Sequence, residues 1–209
     1  NFGSGTVYTA TGFTPQRIST DAIEKRINEA TAPEDMVAWV YQEEGHLFYI
    51  LTGGGLETSL VYDFSTKLWH ERAYLNEFGV FEPSLGNSHM FVFNKHLVGS
   101  RVDGKLFEQS LDYYSDNGAA LARERTYTHI VEEDERLRFN SLDIELETGV
   151  GVQSGQGVNP QVSLQLSKDG ARTWSNWYTT SFGATGKYET KVSFRRLGVA
   201  ETMTFKIRI

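Results

Sequence analysis

The sequence of 209 residues contains no cysteine, only three methionines and only four prolines. Without cysteine there are no disulfides, no thiolate nucleophile and no zinc–thiolate centre, as is typical of proteins assembled in a reducing cytoplasm. No apolar run approaches the roughly 18 residues of a membrane-spanning helix, and we expect no signal peptide. The sequence also lacks a nucleophile elbow, a phosphate-binding loop and a dinucleotide-binding fingerprint. We therefore expect no catalytic residues, no cofactor and no metal site.

Negative charge exceeds positive charge, with 27 acidic and 20 basic residues and a formal net charge of −7. This balance disfavours sequence-independent nucleic-acid binding, in which Lys and Arg neutralise phosphates, although a local basic patch remains compatible with it. The chain opens at Asn1 without a methionine and stops inside the alternating run Met203–Ile209. We therefore expect it to be a piece of a longer polypeptide.

The most regular stretch, Val37–Arg72, predicts one antiparallel meander. Its apolar, aromatic and β-branched residues recur at nearly every second position, between glycine and polar turns. Glu44-Gly45, the Gly53–Gly55 triplet and Phe64–Lys67 supply the three turns. Four strands in about 36 residues have the size of one β-propeller blade. The predicted strands are Val37–Glu43, His46–Thr52, Ser59–Asp63 and Leu68–Arg72.

A strand at Thr6–Thr11, a loop at Gly12–Gln16 and one convincing helix are predicted before the meander. Ser19 or Thr20 caps this helix, Thr20–Ala30, and an apolar stripe is formed by Ile23, Ile27 and Ala30. Asp21 and Glu24 lie favourably near its positive N-terminus. This helix is a candidate subunit contact through Asp21 and Glu24, with packing on the side of a sheet as the alternative.

A second, less regular blade is predicted after the meander. Its pentamer His89–Phe93 repeats His46–Ile50 at an offset of 43 residues, within the roughly 40 to 50 of propeller repeats. Two blades cannot close a ring, so sequence outside this chain would supply the others. The strands predicted for this blade are Phe78–Phe81, His89–Phe93, Leu97–Ser100 and Lys105–Gln109.

Longer strands follow the connector Tyr113–Glu124 and predict a β-sandwich-like module. The fold class is therefore all-β: propeller-type blades with one short helix in residues 1–123, then a β-sandwich-like domain in residues 124–209. The strands predicted for the second domain are Thr126–Val131, Leu137–Glu147, Gln161–Ser167, Trp174–Thr180, Tyr188–Arg195 and Thr202–Ile209.

The sharpest local motif resembles the Asp-box turn of sialidases and other propellers. It comprises Ser167, Asp169, Gly170, Thr173 and Trp174. In such a turn the carboxylate accepts backbone N–H bonds, the glycine is left-handed and the tryptophan packs underneath. A structural turn is the preferred interpretation. The alternative is a carbohydrate-active β-propeller, either a sialidase-like hydrolase or a glycan-binding protein.

Other candidate groups have ordinary structural interpretations. Glu43/Glu44 and the acidic run Glu132–Glu135 could provide glycosidase carboxylates but read better as solvated turns. The run could also form a rim for a cation or a partner. The histidines show no spacing typical of a metal site. Arg195 and Arg196, with the alternating Lys206 and Arg208, form a basic stripe that is either solvated or a contact for DNA or an acidic partner.

Several distinctive segments lie along the chain: GFTPQRISTDAIE (12–24), EEGHLFYILT and LVYDFSTKLWHERA (within 43–73), HLVGSRVDGKLFEQSLDYYSDNG (96–118), GVGVQSGQGVNPQVSLQLSKDGARTWSN (149–176) and FRRLG (194–198). Together they resemble the packaged-DNA stabilisation proteins, or tail hub proteins (tail accessory factors), of P22-like short-tailed bacteriophages. The resemblance covers nearly the whole chain, although an Arg-containing turn is expected where Val199–Thr202 stands.

The resemblance implies a structural virion protein rather than an enzyme. Such proteins form a ring-shaped hub below the portal and adaptor rings, seal the packaged DNA, and dock the tail needle and tailspikes. The resemblance carries over no catalytic residue or cofactor, and it implies assembly in the host cytoplasm and a final location in the virion tail. DNA contact is expected to be indirect or weak, without a membrane partner.

Overall fold

The computed structural model describes residues 5–132, 135–154 and 156–209, and the chain divides into two compact units. Unit 1 is Asn1–Leu121 and unit 2 is Ala122–Ile209. The fold is mostly β, with several antiparallel sheets and one short α-helix in the described part of the chain, as predicted.

Unit 1 begins with a hairpin that the sequence did not predict. Strand β1 (Tyr8–Thr11) pairs antiparallel with β2 (Thr14–Arg17). The loop predicted at Gly12–Gln16 is therefore wrong for residues 14–16, which belong to β2. Gly12 has φ +64°, and this left-handed glycine lets a two-residue turn reverse the chain at once.

Helix α1 (Asp21–Glu29) follows and packs on the side of a sheet. The Thr20 hydroxyl caps it by accepting a hydrogen bond from the Ile23 N–H at 3.4 Å. Ile23 and Ile27 form its buried face. They share one apolar core with three residues that lie along the neighbouring chain segments, Leu51, Leu56 and Leu60. This face of the helix therefore packs on the side of the sheet, which was the alternative to a subunit contact.

The predicted meander is present and is extended by a fifth strand. At its first turn Glu44 and Gly45 are both left-handed, with φ 47° and 84°, as a tight two-residue hairpin requires. Leu60 and Val61 are fully buried in this sheet. Each strand pairs antiparallel with the next, in the order β3 (Met36–Glu43), β4 (His46–Gly53), β5 (Ser59–Asp63), β6 (Leu68–Leu75) and β7 (Phe81–Pro83).

The predicted four-stranded second blade is wrong, because its first strand belongs to the preceding sheet. The side-chain oxygen of Asn76 accepts hydrogen bonds from the N–H groups of Phe78 and Val80, at 3.0 and 2.9 Å. This tight loop turns the chain back along β6, so β7 extends the first sheet. The second sheet has three strands: β8 (Gly86–Val92), β9 (Lys95–Ser100) and β10 (Leu106–Gln109).

The predicted connector contains a small hairpin, β11 (Ser115–Asp116) with β12 (Ala119–Ala120). Asn117 and Gly118 form its turn and are both left-handed, with φ 49° and 84°. An Asn-Gly dipeptide is a strong hairpin signal that the sequence prediction passed over.

Unit 2 consists of a five-stranded and a two-stranded antiparallel sheet. In the larger sheet β19 is central, because β13, β14 and β16 all pair with it. The smaller sheet pairs β15 with β18. The strands are β13 (Glu124–Thr126), β14 (Ile130–Val131), β15 (Leu137–Ile144), β16 (Gln161–Ser167), β17 (Tyr178–Ser181), β18 (Val192–Ala200) and β19 (Thr202–Arg208).

The core of unit 2 lies between its two sheets. Between Ala200 and Thr202 the chain passes from the smaller sheet into the larger one. The inward-facing residues of β16 and β19 meet those of β18 in one buried cluster, which makes the unit a β-sandwich. Its buried members are Val162, Leu164, Leu166, Val192, Phe194, Leu197, Ala200, Met203 and Phe205.

Three predicted strands of this unit need correction. The strand predicted at Thr126–Val131 is interrupted, because four steps along it oppose only three along β19. The extra residue forms a bulge and splits the strand into β13 and β14. The strand predicted from Trp174 begins only at Tyr178, because residues 174–177 are irregular. The strand predicted from Tyr188 begins at Val192, because residues 188 and 189 form a turn.

Candidate functional site

The Asp-box-like motif forms a tight turn directly after β16. The Asp169 carboxylate accepts hydrogen bonds from the N–H groups of Arg172 and Thr173, at 3.0 and 2.9 Å. It also accepts from the hydroxyls of Thr173, at 2.5 Å, and of Ser167, at 2.7 Å. Gly170 is left-handed, with φ +72°. The motif residues before Trp174 are thus brought together around one carboxylate.

These bonds decide what Asp169 can do chemically. The Thr173 hydroxyl, together with the backbone N–H of Thr173, is the main cause that lowers the pKa of Asp169 well below its usual value. Hydrogen bonds to the charged form of a carboxylate favour that form. Asp169 is therefore ionised at neutral pH and cannot act as the general acid that glycoside hydrolysis requires.

Trp174 leaves the turn and lies on the outer surface of the five-stranded sheet, only partly buried. The Lys206 ammonium lies 4.3 Å from the centroid of its ring, and the Arg208 guanidinium lies 4.5 Å from that of Trp177. Glu124 joins the two cations, at 2.8 Å from the Arg208 guanidinium and 3.5 Å from the Lys206 ammonium. We call these five residues the cation–tryptophan face.

The basic stripe predicted at Lys206 and Arg208 is thus paired with aromatic rings and a carboxylate. Alternation along β19 does predict that Lys206 and Arg208 share one side of the strand. No local pattern indicates that both tryptophans fold back over this side. Cation–π contacts of this kind are worth about 0.5–1 kcal/mol at exposed sites, so the face adds rigidity to the turn and to the strand.

Arg195 and Arg196 lie next to a β-bulge in β18. Pairing with β15 shifts register between Phe139 and Ser141, and Ser141 stands opposite Arg195. Arg196 is left-handed, with φ +60°, a conformation that non-glycine residues rarely adopt. Both arginines are exposed. A bulge redirects side chains, and here it presents two neighbouring guanidinium groups to solvent.

Asp21 and Glu24 are held by a single arginine of their own unit. Arg17 reaches Asp21 at 2.5 Å and Glu24 at 2.7 Å. The Ser19 hydroxyl donates to Glu24 at 2.7 Å and, ahead of Arg17, is the main cause that lowers the pKa of Glu24. The Asp21 side chain is 95% exposed. Of the two carboxylates, Asp21 is the one that remains accessible to a partner.

As far as the structure describes them, the other sequence candidates do not converge on a catalytic arrangement. Glu43 and Glu44 lie at the β3–β4 turn. In the acidic run, the Glu135 N–H donates to the Glu132 carbonyl at 2.7 Å, and residues 133 and 134 lie outside the described residues. In the described ranges no cluster of three His, Asp, Glu or Cys side chains could hold a metal ion. The helix in these ranges is too short and too polar to cross a membrane.

Comparison with known proteins bears on the second unit. Residues 123–209 match a protein family described as "Bacteriophage P22 Gp10, beta-sandwich". The C-terminal β-sandwich belongs to the bacteriophage P22 Gp10 family. The family predicted by resemblance is thereby confirmed, and the β-sandwich fold of this unit agrees with its description. A search of the curated proteins found no significant match to the chain.

The P22 Gp10 sandwich contains the Asp169 turn, the cation–tryptophan face and the Arg195–Arg196 bulge. The family is one of phage structural proteins. Since Asp169 is fully engaged in its own turn, the resemblance of this motif to the sialidase Asp-box concerns the local geometry only. In this sandwich the exposed pair Arg195 and Arg196 is the most prominent candidate for a contact with another molecule.

Proposed function

We propose that this chain is a subunit of a ring-shaped phage tail hub. In this role it attaches below the portal and adaptor rings, seals the packaged DNA in the head, and docks the tail needle and tailspikes. The match of residues 123–209 to the P22 Gp10 β-sandwich carries the proposal. The proposed role is structural and non-enzymatic, with assembly in the host cytoplasm and a final place in the virion tail.

Charge supports a role in binding partners. Unit 1 has 8 basic and 16 acidic residues, whereas unit 2 has 12 basic and 11 acidic residues. The proposed contact residues follow this division, with Asp21 and Glu24 on unit 1 and Arg195 and Arg196 on unit 2. Complementary charges steer association and fix the register of an interface. We propose that the arginine pair contacts an acidic surface of a neighbouring hub or adaptor subunit.

We also propose that the two sheets of residues 1–123 are successive blades of a propeller, followed by the sandwich in residues 124–209. The five-stranded and three-stranded sheets are consecutive antiparallel meanders, which is the connectivity of propeller blades. A cryo-electron microscopy map of the assembled hub tests this arrangement. A map in which these sheets do not lie side by side around a common axis would overturn it.

Mass spectrometry of a density-gradient-fractionated phage lysate tests the function. We expect peptides of this chain in the fractions that hold DNA-filled particles. Recovery in the soluble fractions alone would contradict the hub proposal and favour the carbohydrate-active alternative.

A charge-reversal pair tests the contact residues. The double variant Arg195→Glu/Arg196→Glu is expected to lower co-sedimentation with the particles. The control Arg172→Glu/Lys187→Glu changes the charge equally at two other exposed positions of the same unit and should behave as the wild type. Equal loss in both variants would show that net charge, rather than the bulge, governs binding.

A further inference from the structure

Two histidines of unit 1 share one hydrogen bond. The Nε2 atom of His89, on β8, lies 2.9 Å from the Nδ1 atom of His96, on β9. Their ring centroids are 5.1 Å apart and the ring planes are inclined by 27°. Between two imidazoles at this distance, one nitrogen must donate a proton and the other must accept it. A second proton in this position would place two donors face to face.

The pair lies at the contact between the two larger sheets of unit 1. His89 stacks on Trp39 of β3, with the centroids 5.6 Å apart and the planes 13° apart. Tyr41, also on β3, lies 5.5 Å from His89 and 5.8 Å from His96. The Phe91 ring centroid lies 4.8 Å from that of His96. The two imidazoles therefore take part in the packing between the three-stranded sheet and strand β3.

The backbone of Val40 on β3 indicates which nitrogen of His89 carries the proton. Burial and the charge of His96 lower the pKa of His89, whereas an interaction with the Val40 backbone raises it, as a hydrogen bond donated by the ring does. Because Nε2 of His89 faces His96, we infer that the donor toward Val40 is Nδ1. Neutral His89 then accepts at Nε2, and His96 donates from Nδ1. The chain of bonds runs from His96 through His89 to the backbone of the neighbouring sheet.

We propose that His89 and His96 form a pH-dependent clamp between the β8–β10 sheet and strand β3. A single added proton leaves one ring able to accept the shared hydrogen bond, so the clamp stays closed. The second proton must enter on Nε2 of His89, the accepting atom. It breaks the His–His bond, places two positive charges side by side, and weakens the attachment of the three-stranded sheet.

Among the described residues, no carboxylate contributes to the pKa of His89, which is set by burial, the charge of His96 and the Val40 backbone. From β6, Arg72 lies over the Tyr41 ring at 5.3 Å and is cationic at every relevant pH. Burial raises the pKa of the Tyr41 phenol, and the charge of Glu43 on β3 raises it further. On β10, the neutral residue Gln109 stands opposite His96. The Tyr41 phenol is neutral below about pH 10.

The direction of the pH effect follows from the environment of His89. Burial, and then the charge of His96, lower the pKa of His89 below its usual value of 6.5. The unfolded chain therefore binds this proton more readily than the folded chain. The stabilisation is complete above the usual pKa and is lost as the pH falls from there through the lowered pKa.

Imidazole nitrogen NMR on the full chain tests the proton assignment. At about pH 7.5 we expect a proton on Nδ1 of both rings and none on Nε2 of His89. A proton on Nε2 of His89 at this pH would overturn the clamp. This measurement needs only the wild-type chain, so it decides the question even where a variant fails to fold.

Amide hydrogen exchange tests the mechanical consequence. Between about pH 7.5 and about pH 5, protection of β8, β9 and β10, corrected for intrinsic rates, should fall relative to β16 and β19. If folding lowers the pKa of His89 by one, protection is expected to fall about tenfold. His89→Gln should abolish this pH dependence, and the control His129→Gln, at an exposed position of unit 2, should retain it. Unchanged wild-type protection, or the same fall in His89→Gln, would overturn the proposal.

Discussion

The ammonium nitrogen of Lys206 lies 4.3 Å from the ring centroid of Trp174, so strand β19 is held against the turn that follows β16. We predict that Lys206→Gln lowers the free energy of unfolding by about 0.5–1 kcal/mol, because the cation–π contact and the 3.5 Å ion pair with Glu124 are lost. Urea unfolding followed by tryptophan fluorescence measures the effect. Lys187→Gln, at an exposed position of the same unit, is the control and should leave stability unchanged. An equal loss in both variants would contradict the contact.

Asp169 organises the turn after β16, and its replacement should reveal a structural role. Asp169→Ala removes the acceptor of four hydrogen bonds, two of them from the backbone. We expect a lower midpoint of thermal unfolding for the sandwich and no loss of any enzymatic activity. Differential scanning calorimetry, together with a glycosidase assay on the wild type, measures both. A measurable wild-type glycosidase rate that disappears in the variant would reverse this assignment.

Ser59 lies at the centre of a buried hydroxyl network in unit 1 and is fully buried. Its Oγ atom lies 2.6 Å from the Thr52 hydroxyl and 2.9 Å from the Ser84 hydroxyl, and it accepts the Ser84 N–H at 3.0 Å. Ser59→Ala leaves these groups without their shared partner. We predict a loss of about 1–3 kcal/mol in the free energy of unfolding.

Chemical denaturation of the Ser59→Ala variant tests this prediction. The matched control is Ser115→Ala, an exposed serine of the same unit, for which a change within about 0.5 kcal/mol is expected. A loss no larger than that of the control would show that water or a rearranged hydroxyl replaces Ser59 in the network.

Acid should destabilise unit 1 through Asp63. Burial alone would raise the pKa of Asp63. The hydrogen bonds from the Ser65 backbone, His46 and the Thr66 hydroxyl outweigh burial and lower the pKa from 3.8 to about 2. Because the folded pKa is the lower one, the stabilisation is present above the usual value and is lost as the pH falls toward the folded value.

The Asp63→Asn variant isolates this effect. Unit 1 of the wild type should lose stability as the pH falls from about 4 to about 2, and the variant should lose less over the same range. Urea titrations at several pH values, with circular dichroism as the probe, compare the two slopes. Parallel slopes would show that other carboxylates dominate acid unfolding.

Local pattern was sufficient for the elements whose pairing partner is adjacent in sequence. The alternation of Val37–Arg72 and its glycine and polar turns predicted the meander, and the Thr20 cap predicted the start of the helix. Such elements are encoded by periodicity and turn chemistry over a few residues. The antiparallel sheet of β3 to β6 is therefore readable from the sequence.

Pairing that depends on competition between sheets was not predictable in this way. The three residues of β7 could extend either neighbouring meander, and the two hydrogen bonds of the Asn76 side chain direct them to the first one. Likewise, the bulge between β13 and β14 arises from the pairing with β19, about 75 residues away. The strand pattern of β13 and β14 contains no sign of it.

The sequence predicts only part of the candidate site, because some of its contacts are local and others join distant segments. The order Ser167, Asp169, Gly170 and Thr173 encodes a turn whose hydrogen bonds are all local. The cation–tryptophan face instead joins residues from three separate segments, and the His89–His96 pair depends on two sheets coming together. Contacts between distant segments follow from the tertiary packing, which a single sequence does not encode locally.

The two ends of the sandwich are joined side by side, since Arg123 and Ile209 exchange backbone hydrogen bonds of 2.8 and 2.9 Å. In an antiparallel pair these bonds lie perpendicular to the strands. A pulling force applied through residues 123 and 209 therefore acts along the hydrogen bonds and breaks those between β13 and β19 one after another. If the force acted along the strands instead, all these hydrogen bonds would have to break at the same time. The sandwich is accordingly a weak mechanical link along this direction, and it yields to tension by peeling.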